Sequence, residues 1–122
     1  MAAIEEITGI MSQITTHVLD TSLGRPAAGV PVALEIQKSG GWKEISRGAT
    51  DADGRLRHLL EPGTLEAGIY RLTFETSVYF HARKIHGLYP QISIVFQVED
   101  PKEHHHIPLL LSPYGYSTYR GS

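Results

Sequence analysis

The run Ile92-Ser93-Ile94-Val95-Phe96-Gln97-Val98 sets Ile92, Ile94, Phe96 and Val98 against Ser93, Val95 and Gln97. A period of two sends successive side chains to opposite faces of a pleated backbone, so one face of this run is strongly apolar. Comparable runs stand at about 13–20, 30–37, 42–48, 55–60, 69–75, 105–111 and 115–120, separated by clusters of Gly, Pro, Asp and Ser. β-branched and aromatic residues dominate them, as half-buried pleated surfaces favour. Eight short strands in this rhythm predict one all-β domain, a sandwich or barrel. One helix is expected over about 77–85, with Ser77 as N-cap, Lys84 near its C-terminal end and Gly87 ending it. Residues 1–11 are weakly patterned and are expected to form a flexible N-terminal segment ahead of a domain spanning 12–122.

Composition narrows the function classes. At 122 residues, with 41% apolar and 20% charged, the chain has the size and balance of one globular domain with a real core. Lys and Arg number 11 against 13 Asp and Glu, and no basic stripe argues for nucleic acid as a partner. Without cysteine there is no disulfide framework, thiolate metal site or thiol nucleophile. No apolar run approaches the ~20 residues of a membrane span; Leu109-Leu110-Leu111 lies in the densest stretch. Met1-Ala2-Ala3-Ile4-Glu5-Glu6 lacks a basic, apolar leader, so a cytoplasmic location is expected.

Two connections invite a functional reading. Asp20 to Gly29 carries Gly and Pro suited to a link between strands. Thr50-Asp51-Ala52-Asp53-Gly54-Arg55 superficially resembles a calcium loop. Placing Asp51, Asp53 and Gly54 at loop positions 3, 5 and 6 leaves Ala49 at 1 and Leu60 at 12, so the first carboxylate and the bidentate Glu are missing.

Seven histidines are many for this length, and their placement is informative. His17 interrupts an apolar strand on the face of Thr15 and Leu19; taken alone it is a hydrogen-bonded core histidine. Arg55 opens the strand after the Asp-Gly turn and taken alone is solvated. In His104-His105-His106, alternation puts His104 and His106 on one face and His105 on the other. Two ligands from one strand do not close a metal site, and no metal is expected. Tyr119-Arg120-Gly121-Ser122 taken alone is a loose tail.

Together, these residues resemble a family. ITTHVLDTSLGRPAAGVPV (14–32), TDADGR (50–55) and HIPLLLSPYGYSTYRGS (106–122) resemble the 5-hydroxyisourate hydrolases, transthyretin-related enzymes of urate degradation. The resemblance covers about residues 12–122, and LLLSPYGYSTYRGS is its most specific part. Two departures stand out: His105, where the family commonly has Tyr between two histidines, and FHARKIHGLYPQ over 80–91.

The resemblance implies a transthyretin-like (prealbumin-like) sandwich of two four-stranded sheets with one short helix. It implies a homotetramer, a dimer of dimers with active sites at the dimer–dimer interface. The implied reaction is hydrolysis of 5-hydroxyisourate to 2-oxo-4-hydroxy-4-carboxy-5-ureidoimidazoline, with water and no cofactor. Carried over by position, His17, Arg55 and Tyr119 match substrate-binding residues, whereas His106 and Ser122 match residues of catalysis or its support.

Chemistry supports that assignment independently. Opening a cyclic amide needs an activated water, a proton for the leaving nitrogen and donors for the oxyanion. Imidazole exchanges protons near neutrality, so His106 and His17 are expected to flank the substrate, with either one the base. Arg55 supplies a permanent charge and a planar donor fork, and Arg120 is a further candidate contact. Strict alternation would pair Arg120 with Ser122 and Tyr119 with Gly121, which ranks Tyr119 above Arg120 as a substrate contact. The rival readings are a non-enzymatic transthyretin-like carrier of small molecules and a β-sandwich binding module.

Overall fold

The computed structural model describes residues 12–122, so the flexible segment expected over 1–11 lies outside the described residues. Two sheets face each other across one core. The first is built on β1 (Ile14–Asp20) and β8 (His105–Ser112), which run parallel, with β9 (Gly115–Thr118) antiparallel on the far side of β8. Two short pieces, β2 (Arg25–Pro26) and β5 (Arg55–Leu56), pair with β1. The second sheet is an antiparallel set in the order β4 (Gly41–Ala49), β3 (Pro31–Lys38), β6 (Gly68–Phe74) and β7 (Ile92–Val98). This is the sandwich expected, except that the first sheet has five members because the two-residue β2 joins it.

Alternation positions the site. Along β1, Ile14, Thr16, Val18 and Asp20 are buried, while His17 and Leu19 are only partly covered. Along β8, His105, Ile107, Leu109 and Leu111 are buried, while His106 and Leu110 are less so. The core is filled by Val18, Leu34, Leu72, Phe74, Leu109 and their neighbours, each side chain contributing ~1.5–3 kcal/mol when fully buried. The two inward polar side chains of β1 are satisfied. Thr16 Oγ1 donates to the Ile107 carbonyl at 2.6 Å, and Asp20 Oδ2 accepts from Tyr79 at 2.7 Å. Ile94 and Phe96 are only half-buried, because β7 is an edge strand.

Several boundaries differ from the periodicity. The strand expected over 55–60 stops at Leu56, where the chain turns away and the Arg57 carbonyl accepts from the Ser12 N–H at 2.8 Å. The helix, α1, covers Thr76–Ala82 rather than 77–85, and Ser77 does not cap it. Its first turn is instead fastened to the following loop: the Ser77 N–H donates to the Pro90 carbonyl, and Thr76 Oγ1 donates to the Tyr89 carbonyl. Lys84 adopts the left-handed conformation (φ 61°), so the helix ends well before Gly87. Gly87 lies against Phe80, where a Cβ would come within 3.0 Å of the ring. The last strand ends at Thr118, not 120, and the chain rejoins the sheet only through a bridge between Gly121 and His106.

Candidate active site

Parallel pairing of β1 with β8 sets Thr15 opposite His106, and β5 brings Arg55 opposite His17. Four segments distant in sequence thereby meet on the outer face of the first sheet. A concavity of about 270 Å³ opens there, lined by Thr15, Arg55, Arg57, His104, His106 and Ser122.

The turn before Arg55 is tightly specified. Asp51 Oδ1 accepts from the backbone N–H groups of Asp53 and Arg55, both at 2.9 Å. Gly54 has φ 76°, and a Cβ there would lie 2.4 Å from the Val18 carbonyl oxygen. Only glycine lets the turn approach β1 closely enough for the Val18 N–H to donate to the Gly54 carbonyl at 2.7 Å. The Asp-Gly pair therefore seats Arg55 beside His17.

His17 is pinned by the same turn. Its Nε2 lies 2.9 Å from the Asp53 carbonyl, which can only accept, so Nε2 carries the proton and Nδ1 is the bare nitrogen of the neutral ring. Burial, then the Arg55 charge, lowers its pKa below 6.5, outweighing the opposing hydrogen bond to Asp53. His106 is held differently. Its Nδ1 lies 2.8 Å from the Thr15 hydroxyl, and its backbone carbonyl accepts from the Gly121 N–H at 2.8 Å. Burial, with His104, Arg55 and His17 nearby, also pushes the His106 imidazole below its ordinary value. Both rings are thus neutral near pH 7 and able to accept a proton.

The tail divides. A Cβ on Gly121 would lie 2.5 Å from His106 Cδ2, so glycine is required for the backbone to lie against that ring. Ser122 reaches the concavity. Arg120 turns back to donate to Glu103 Oε1 and the His104 carbonyl, both at 3.2 Å. Tyr119 is 57% exposed and, with Arg120, lines a separate hollow beside Ile94, Phe96, His105 and Ile107. The alternation expected through residue 122 fails because the chain leaves strand geometry after Thr118, so Ser122 and Arg120 part company. One chain thus brings Arg55, His106 and Ser122 together, with His17 alongside, and leaves Tyr119 and Arg120 outside.

Thr15 and Arg57 also line the concavity though neither was expected there, and His104, read from the sequence only as a metal ligand, joins them. Thr15 is two residues from His17 on the same face, and His104 shares a face with His106, whereas nothing in the sequence marks Arg57. Among the described residues no group of three or more His, Cys, Asp or Glu is placed to hold a metal ion.

Residues 14–121 match the model of the HIUase/Transthyretin family. A 5-hydroxyisourate hydrolase from Salmonella dublin is 45% identical over 109 residues, spanning 89% of this chain and 80% of the relative. The solved 5-hydroxyisourate hydrolase of Klebsiella pneumoniae overlays with a TM-score of 0.79 at 38% identity, covering 92% of this chain and all of that one. Sea bream transthyretin, solved in complex with thyroxine, overlays with a TM-score of 0.84 at 30% identity, covering 89% and 94% of the two chains.

Proposed function

This chain belongs to the HIUase/Transthyretin family, and from that membership and the chemistry of its site we propose that it is a cyclic amide hydrolase acting on 5-hydroxyisourate. The product is 2-oxo-4-hydroxy-4-carboxy-5-ureidoimidazoline, and the reaction belongs to urate degradation. The thyroxine-bound transthyretin overlays as well as the hydrolase does, so the site rather than the fold carries the reading. The observation that carries the reading is the His106 imidazole lining the same concavity as the Arg55 guanidinium, with burial first among the causes that push that ring below its ordinary pKa.

His106 is the better general base. His106 lines the concavity with Arg55 and Ser122, whereas His17 lies alongside it with Nε2 tied to the Asp53 carbonyl. In the proposed step, His106 Nε2 removes a proton from water as the oxygen bonds to the ring carbonyl carbon. Arg55 stabilises the oxyanion, and the C–N bond then breaks as His106 returns the proton to the leaving nitrogen. His17, with its bare Nδ1, orients the water or the substrate, and Ser122 supports that arrangement. No cofactor enters this step.

The working form is a homotetramer in this proposal. Tyr119 stands exposed on the open side between the edge strands β7 and β9, beside half-buried Ile94 and Phe96, where a second copy would complete its surroundings. Tyr119 and Arg120 then contact substrate or shape the wall only in the assembly, whose mass sedimentation would measure. A cytoplasmic location belongs to the same proposal and is checked by fractionating cells that express the tagged chain.

The direct test generates 5-hydroxyisourate with urate oxidase and follows its ultraviolet decay with and without the protein. Acceleration that survives exhaustive chelation is expected; decay at the spontaneous rate would falsify the reading.

A further inference from the structure

Thr15 sits between two imidazoles. Its hydroxyl lies 2.8 Å from His106 Nδ1 and 2.9 Å from His104 Nε2, and the residue is only 3% exposed. The two rings are 6.2 Å apart between centroids and inclined by 27°. His104 is itself held in place: its carbonyl accepts from Arg120, and the next residue's N–H donates to the Gln13 carbonyl at 2.7 Å.

A hydroxyl has one hydrogen, so the trio has two matched arrangements when both rings are neutral. In one, His106 Nδ1–H donates to Thr15, Thr15 donates to His104 Nε2, and His106 Nε2 is bare. In the other, His104 Nε2–H donates to Thr15, Thr15 donates to His106 Nδ1, and His106 Nε2 carries a proton. The first presents a base to the concavity and the second presents an acid.

We propose that Thr15 and His104 form a proton relay behind His106, acting as positioning residues that let one imidazole serve first as base and then as acid. The inference rests on the hydrolase reading. As water gives a proton to His106 Nε2, the Nδ1 proton passes to the Thr15 oxygen and the Thr15 hydrogen passes to His104 Nε2. His106 and Thr15 end neutral, and His104 holds the charge. The reverse shift drives the His106 Nε2 proton onto the leaving nitrogen and returns His104 to neutrality.

The surroundings favour sharing the proton over trapping it. His106 faces Arg55 and His17, with Arg57 across the concavity; His104 has Arg120 and the adjacent, inward-buried His105 nearby, and Glu103 pairs with Arg120 on the outside. Burial comes first in depressing both imidazoles, and among the described residues neither ring contacts a carboxylate that would fix an imidazolium. Moving the charge to His104 carries it away from the Arg55 side of the site.

Thr15→Val keeps the shape of the side chain and breaks the relay. It is expected to lower kcat about 10-fold or more with KM unchanged, a part of the ~10²–10⁴-fold that general base catalysis supplies. Thr15→Ser restores the rate. His104→Gln keeps a hydrogen-bonding group beside Thr15 but cannot take up a proton, and it is expected to lower kcat similarly. The proton inventory of kcat in mixed light and heavy water should curve in the unmodified protein and become linear in Thr15→Val and His104→Gln. Nitrogen-15 imidazole NMR, which needs no substrate, should show His104 and His106 titrating as a coupled pair and uncoupling in Thr15→Val. Independent titration of the two rings in the unmodified protein, or a His104→Gln variant with full rate and a curved inventory, would overturn the relay. Coupled titration in a protein that fails to accelerate 5-hydroxyisourate decay would instead sink the hydrolase reading and leave the coupling standing.

Discussion

The outer faces of the two sheets both carry charged and aromatic side chains, yet they are organised in opposite ways. On the second sheet, Glu35 accepts from Arg71 Nε and Nη2, both at 2.7 Å, and from Thr73 at 2.9 Å. The Arg71 guanidinium also stacks over Trp42 at 4.5 Å, and Glu44 pairs with Arg47 along the neighbouring strand. The hydrogen bonds from Arg71 hold the Glu35 carboxyl below its usual range in spite of burial. On the first sheet, Arg55 makes no ion pair among the described residues, and the His17, His104 and His106 imidazoles are pushed toward neutrality. A closed network has little capacity left for a ligand. The face with an unneutralised cation and proton-accepting rings has that capacity, so openness separates the proposed functional face from a structural one here.

The contrast can be broken by mutation, with the largest effect at the tail. Deleting Tyr119 to Ser122 removes the Gly121 N–H that holds β8 at His106 together with Ser122. Turnover is expected to vanish while circular dichroism retains the sandwich; a truncated protein working at full rate would return the tail to a passive role. His106→Asn is expected to lower kcat by about 10²–10⁴-fold, and His17→Asn severely as well, without loss of folding. Near-normal turnover in either variant removes the two-histidine mechanism.

Acid should separate the two faces as well. Burial first, and neighbouring charge after it, depresses His17 and His106 below 6.5, so the folded state resists protons that the unfolded chain binds. Their contribution to stability is complete above pH 6.5 and is lost as pH falls through the depressed values. Turnover follows the neutral rings. It should persist below pH 6.5 and decline only at lower pH, as a kcat profile would record; a decline beginning above 6.5 contradicts the assignment.

Smaller effects are expected away from the site. Tyr79 donates to the buried Asp20 carboxylate, and burial and that bond raise the phenol to about 12. Tyr79→Phe should cost about 1.5–3 kcal/mol in denaturant unfolding and leave kcat intact at permissive temperature. Glu35→Gln on the closed network should cost about 1–2 kcal/mol of stability and leave turnover unchanged. A marked loss of activity there would erase the distinction between the two faces.

Much of the fold was legible because β periodicity is local. The alternation of Ile92 to Val98 and of the runs near 13–20 and 105–111 matches β7, β1 and β8 to within a residue or so. The boundaries that slipped depend on distant partners. Thr76–Ala82 starts where Thr76 and Ser77 meet the loop at Tyr89 and Pro90, and the two-residue β2 exists only because β1 offers it an edge.

The tail with which the family resemblance was strongest shows the same division. Sequence by itself determined which residue types were available: an arginine fork, imidazoles near neutrality, and a glycine in Tyr119-Arg120-Gly121-Ser122 that allows close approach. It could not decide their grouping, because strand alternation holds only while the backbone stays extended and paired. Tertiary structure parted Tyr119 and Arg120 from Ser122 beyond Thr118, laid Gly121 on His106, and set Thr15 between His104 and His106. The two Thr15 contacts span some ninety residues of chain, and only the parallel register of β1 on β8 creates them.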